Sequence, residues 1–197
     1  DTRVVDYGID INRIAGEHLV NDKKQVVFLH GTTWLTKHWP ELYWRHLAHI
    51  ATESGYQVLL PWGNLEERRR AEFIGKDNGL VTILDKQTLS GLAQKINASC
   101  GVIAVDTGLG HLAAALAKPT LSLYGPTNPG LSGTYGAKQL HLNSDFSCAP
   151  CVMKVCGYSG AGVNDDFKGQ TFAVIPPCFS SHKPENVWQR FENLLQE

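Results

Sequence analysis

Within six positions, Asp106 to His111, the segment VDTGLGHLA (105–113) carries a carboxylate, a hydroxyl, two glycines and an imidazole. It follows the apolar run GVIAV and leads into HLAAALA, so it reads as strand, tight turn and helix start. Glycines at such a turn let a phosphate approach backbone N–H groups, and the helix that follows presents its positive end there. Gly108, Gly110 and Ala113 also fit the G-x-G-x-x-A spacing of a dinucleotide fingerprint. That fingerprint demands an acidic residue about 20 positions on, for the ribose hydroxyls. From Thr107 to Ser144 there is neither Asp nor Glu, which disfavours a nicotinamide dinucleotide. Close helix–strand packing is the other use of such glycines. Asp106 argues against packing alone: a carboxylate repels phosphate but accepts hydrogen bonds from sugar hydroxyls.

A second group lies far upstream. HGTTWLTKHWP (30–40) sets Gly31, Thr32, Thr33 and Lys37 in one loop, where hydroxyls and a point charge suit a phosphate-rich ligand. It is not a P-loop, since G-x-x-x-x-G-K-[ST] is absent; an ordinary solvated loop with a helix cap is the competing reading. Trp34, Trp39 and Trp44 read as packing residues. In PWGNLEERRR (61–70), Glu66 and Glu67 are either first-turn carboxylates favoured by the helix dipole or include the acceptor of ribose hydroxyls. Spacing leaves that choice open. His30, His38 and His111 fall in the same kind of loop, whereas His46 and His49 sit inside a helical pattern.

What must position these loops is an alternation of strands and helices. VVFLH (26–30), QVLLP (57–61), VTIL (81–84), GVIAV (101–105) and PTLSLYG (119–125) read as strands. Between them come helical patterns: one after Pro40 through Ala51, EERRRAEFIG (66–75), LSGLAQKINAS (89–99) and HLAAALA (111–117). The expected fold is α/β, a Rossmann-like doubly wound parallel sheet, with ligands beyond the carboxyl ends of the strands. His30–Lys37, Trp62–Glu67, Asp106–His111 and Gly125–Gly136 all follow strands. Residues 1–24 read as a linker or lead-in, 25–142 as the Rossmann-like domain that carries these loops and 143–183 as a Cys/Gly-rich irregular insertion. Residues 184–197 hold a terminal helix opened by Pro184.

The 197 residues, 43% of them apolar, are enough to bury a sizeable core. A net charge of −1 supplies no whole-chain attraction to nucleic acid. No run approaches the roughly 18 apolar residues that span a bilayer. Asp1 as first residue and Met153 as the one methionine lead to the expectation of a segment from a longer protein. Of the five cysteines, Cys148, Cys151, Cys156 and Cys178 cluster late in the chain and read as reduced thiols. Their spacing is compatible with zinc ligation and equally with unpaired thiols in an irregular loop.

KHWPELYW, LLPWGNLEERRRA and VDTGLGHLAAALAKPTLSLYGPTNPGLSGTYGAKQ, in this order, resemble the bacterial lipopolysaccharide heptosyltransferases of glycosyltransferase family 9, over about residues 25–142. The resemblance implies the C-terminal, donor-binding half of a GT-B glycosyltransferase. The reaction would move L-glycero-D-manno-heptose from ADP-heptose to the 3-deoxy-octulosonic acid (Kdo) residue of a Kdo-lipid A acceptor, with inversion and without a metal or other cofactor. Thr32, Thr33 and Lys37 would meet the diphosphate and Glu67 the ribose. Asp106 would hold the heptose, and Thr107 and Gly108 would donate to phosphate, with His111 one turn in. Lys37, Thr107 and Gly108 would stabilise the leaving group. The family's catalytic base is a carboxylate of an N-terminal domain that this chain lacks. Gln87 stands at the adenine-contacting position, where the family has an apolar residue. A cytoplasmic protein in peripheral contact with the inner membrane is also implied. A cysteine-rich stretch occurs in other members, with no metal role supplied by the likeness.

Overall fold

The computed structural model describes residues 7–10 and 24–197. Most of the stretch read as a linker or lead-in therefore lies outside the described residues. From Gln25 the chain runs β1 (Gln25–Leu29), a 3-10 turn (Leu35–Lys37), α1 (Glu41–Glu53), β2 (Gln57–Leu60), α2 (Leu65–Gly75), β3 (Val81–Ile83) and α3 (Leu89–Ala98). It continues through β4 (Gly101–Val105), α4 (Gly108–Ala115), β5 (Thr120–Tyr124), the short α5 (Pro129–Ser132) and β6 (Gln139–Asn143). Last come the hairpin β7 (Asn164–Phe167) and β8 (Gln170–Ala173), a 3-10 turn (Pro177–Phe179) and α6 (Pro184–Gln196).

Six strands pair in parallel in the order β3-β2-β1-β4-β5-β6, the doubly wound order in which the direction of winding reverses between β1 and β4. Both faces are covered, so the central strands alternate between two cores rather than between core and water. Val26 and Phe28 of β1, Val58 and Leu60 of β2 and Ile103 and Val105 of β4 join α1 and α6 on one face. Val27, Leu29, Leu59, Val102 and Ala104 join α3 and α4 on the other. The continuous apolar runs that marked these strands follow from this double burial.

Two elements carry no such run. β6 is one of the two edge strands, only half-buried along QLHLN, so its sequence does not stand out as apolar. The 143–183 stretch, read as irregular, does lack regular structure from Ser144 to Val163 but then forms the β7–β8 hairpin. Its strands are polar, and the two-residue turn Lys168-Gly169 has φ of 53° and 75°, a mirror-image turn matched to hairpin twist. The hairpin is fastened to α1: Tyr43 Oη donates to Asp165 Oδ2 at 2.6 Å, and the His46 ring stacks on Phe167 at 4.3 Å. α6 covers the same side, with Trp188 Nε1 donating to Ser54 Oγ at 3.0 Å. Gly101 lets Phe191 come close to β4: a Cβ there would meet the Phe191 ring at 2.9 Å.

Candidate functional site

The loops that follow β1, β2 and β4 enclose a cavity of about 810 Å³ at the carboxyl edge of the sheet, over the β1/β4 switch point. Thr32, Thr33, Lys37, Glu67, Asp106, Thr107, Gly108 and His111 all line it. So do Glu66 and Gln87.

Parallel pairing of β1 with β4 carries the loops of Thr32 and Asp106 to the same place, 74 residues apart in sequence. Thr32 Oγ1 donates to the Asp106 carbonyl at 3.0 Å, locking the loops together. The Asp106 side chain is buried, 7% exposed, and its Oδ2 is held twice. Lys37 Nζ stands 2.8 Å away and Thr127 Oγ1 donates at 2.7 Å. Lys37 also lies over the Trp34 ring, 4.4 Å from its centroid. Trp39 and Trp44 are core residues as expected, but Trp34 is half-buried, with Lys37 on its ring and Lys154 5.4 Å from its centroid.

Glu67 is placed by helix capping. Asn64 caps α2 by accepting from the Glu67 N–H at 2.9 Å, and Glu67 Oε2 reaches back to accept from Gly63 N–H at 2.7 Å. Its other oxygen presses on Gly31, where a Cβ would come within 2.7 Å. A glycine after β1 thus makes room for a carboxylate from the loop after β2.

The two glycines of the Asp106 turn do different work. A Cβ on Gly110 would touch Ala104, Thr134 and Ser122 at 3.7–3.9 Å, so Gly110 seats α4 on the sheet. A Cβ on Gly108 would meet nothing within 4 Å. The space at Gly108 is therefore left open on the cavity side. Three helices open onto the cavity, and two have capped ends: Asn64 caps α2 and Thr88 caps α3. At α4 the Thr107 hydroxyl makes no cap bond and the first turn holds no acid. Its leading N–H groups stay available to an anion.

His30, at the end of β1, is 1% exposed, and neither ring nitrogen has a hydrogen-bond partner among the described residues. Burial, then the nearby Arg70 guanidinium, push it down to about 3, against a weak pull from the Pro61 carbonyl that falls outside hydrogen-bond geometry. His38 is lowered to about 4 by the same two causes in the same order. Both rings are neutral at neutral pH. Thr127, which holds Asp106, is the site side chain that motif reading passes over. The signal was its place just past a strand end, in the loop GPTNPG.

A model of glycosyltransferase family 9 (heptosyltransferase) matches residues 4–161. Lipopolysaccharide heptosyltransferase 1 of Pseudomonas aeruginosa is 46% identical over 195 residues, covering 98% of this chain and 53% of that protein. The Escherichia coli K12 protein of the same name is 46% identical over 58% of this chain and 36% of its own length. Among solved structures, E. coli heptosyltransferase WaaC with ADP aligns with a TM-score of 0.67 at 39% identity, over 72% of this chain and 44% of that one. E. coli ADP-heptose heptosyltransferase II aligns over 98% of this chain with the same TM-score of 0.67, but at 19% identity it speaks for the fold alone. This chain spans about half the length of the Pseudomonas relative and less of the E. coli one. With the family match running across the sheet and every cavity loop, the chain belongs to glycosyltransferase family 9, the heptosyltransferases.

Proposed function

We propose that this chain forms the donor-binding half of a lipopolysaccharide heptosyltransferase, taking ADP-heptose and passing its heptose to the Kdo residue of a Kdo-lipid A acceptor with inversion. The reading is supported above all by one juxtaposition: Lys37, Asp106, Glu67 and the uncapped start of α4 share a single cavity at the β1/β4 switch point. Relatives named lipopolysaccharide heptosyltransferase 1, and a WaaC structure with ADP-2-deoxy-2-fluoro heptose at 36% identity, support the choice of donor.

In this reading the diphosphate lies between the Thr32 and Thr33 hydroxyls, Lys37 and the N–H groups of Thr107 and Gly108. Glu67 accepts from the ribose hydroxyls, Asp106 from the heptose, and His111 flanks the phosphates one turn into α4. As the bond from the anomeric carbon to the diphosphate oxygen breaks, its electron pair moves onto ADP. The acceptor hydroxyl oxygen bonds to that carbon from the opposite face and gives its proton to a carboxylate of an N-terminal half. Donors already aimed at the diphosphate stabilise charge where it develops, each charge-assisted bond contributing about 1.5–3 kcal/mol. Contact with the cytoplasmic face of the inner membrane belongs to the same proposal, through the lipid-linked acceptor.

Calorimetric titration with ADP-heptose, ADP, UDP and NAD tests this reading. ADP-heptose and ADP bind, and UDP and NAD bind far more weakly. A preference for UDP or NAD overturns it.

A further inference from the structure

Residues 151–162 are all exposed, and no regular structure runs from Ser144 to Val163. The stretch nevertheless holds apolar side chains in water: Val152, Met153 and Val155 are 55%, 57% and 67% exposed. No core of its own explains why it keeps a defined course, and short segments in that position are commonly stapled by covalent or metal links.

The same stretch carries Cys148, Cys151 and Cys156, in the spacing C-x-x-C-x-x-x-x-C. Backbone and hydroxyl bonds bring it to the fourth cysteine. Ser144 Oγ donates to the Cys178 carbonyl at 2.6 Å and accepts from Phe146 N–H at 3.1 Å, and Phe146 in turn accepts from Ala149 N–H at 2.8 Å. Val152 N–H, next to Cys151, donates to the Pro126 carbonyl at 2.8 Å. Cys178 packs against the neighbouring glycine: a Cβ on Gly125 would come within 2.9 Å of its sulfur. Cys151 and Cys178 therefore converge on Gly125–Pro126 from opposite sides of the sequence. All three loop thiols are near enough to act electrostatically on the Cys178 thiol, and all four are free.

We propose that Cys148, Cys151, Cys156 and Cys178 form a tetrathiolate site for one divalent transition-metal ion, zinc or ferrous iron, that staples the 148–156 loop to the end of β5. Four sulfurs select these soft or borderline metals, and a structural zinc takes four such ligands at about 2.3 Å. Among the described residues no three His, Cys, Asp or Glu side chains already form a metal-binding group. Neutral thiols have no mutual attraction to gather them. The ion supplies it, as each ligating thiol gives up its proton. The loop also reaches the donor cavity's flank: Thr36 Oγ1 donates to the Met153 carbonyl at 2.5 Å, and Lys154 lies over the Trp34 ring beside Lys37. The ion therefore steadies the loop that carries Lys37.

The test does not depend on the donor assignment. The protein, purified under reducing conditions, is analysed for bound metal, and metal-stripped protein is titrated with Zn2+ and with Co2+. One ion per chain is expected, with four thiols protected from a thiol reagent and a thiolate-to-cobalt charge-transfer band. The metal found distinguishes zinc from iron. C151S and C156S alter exposed residues, so they keep the circular dichroism of the parent while losing the ion and the cobalt band. C100S, away from the cluster, keeps both. Absence of bound metal together with no thiol protection by added Zn2+ or Co2+ overturns the proposal, as does full metal retention by C151S and C156S.

Discussion

The Lys37 ammonium stands 2.8 Å from Oδ2 of Asp106, joining two loops that parallel pairing of β1 with β4 brings together. The same oxygen takes the Thr127 hydroxyl, and Asp106 lines the cavity. Lys37, 16% exposed, lines the same cavity as that carboxylate.

Removing the ammonium tests that position. In K37A, ADP-heptose affinity should fall by at least about tenfold, the loss expected for one charged contact. Titration calorimetry reads the change, and an unchanged dissociation constant counts directly against a diphosphate beside Lys37.

In the proposed site Thr127 would act on the donor through Asp106, whose Oδ2 it holds, as a positioning residue. T127V should weaken ADP-heptose binding several-fold by titration calorimetry, consistent with the about 0.5–1.5 kcal/mol of one hydrogen bond, while leaving ADP affinity unchanged. T127S, which keeps the hydroxyl, should restore the parent value. Equal losses for ADP and ADP-heptose would mean that Asp106 does not face the sugar.

A methyl group at Gly108 meets no protein atom, whereas one at Gly110 would rest in ordinary contact with Ala104, Ser122 and Thr134. G108A should therefore melt within a degree or two of the parent yet bind ADP more weakly, because the methyl occupies ligand space. If G108A binds ADP as the parent does, phosphate does not approach that turn.

The buried histidines set an acid limit. Unfolded, His30 and His38 titrate near the ordinary 6.5, but folded they stay neutral down to about 3 and about 4. Below 6.5 the unfolded chain binds more protons, so this contribution to stability is complete above that pH and is lost as pH falls. The slope reaches at most about 1.4 kcal/mol per pH unit for each ring. Urea midpoints should drop between pH 7 and pH 5, and H38Q should drop less steeply. Identical midpoints at the two pH values would contradict the burial of these rings.

Sequence alone determined the winding and the loops that matter. Strands buried on both faces must be apolar throughout, so GVIAV matched β4 residue for residue and the other central strands fell within a residue or two. Since loops at the carboxyl edge of a parallel sheet bind ligands, Thr32, Lys37 and Asp106 could be singled out without coordinates, and the family resemblance chose Glu67 over Glu66. The edge strand β6 and the β7–β8 hairpin escaped, because half-buried or polar strands leave no comparable pattern.

Tertiary structure decided what depends on distance across the chain. Glu66 and Glu67 are neighbours in sequence, and only the fold shows Glu67 drawn back to Gly63 and pressed on Gly31. Gly108 and Gly110 look alike in a motif, yet one faces the cavity and the other the sheet. Local spacing fixes which residues share a turn. Which oxygen a hydroxyl 21 residues away will reach, as Thr127 reaches Asp106, is set by the packing of whole strands.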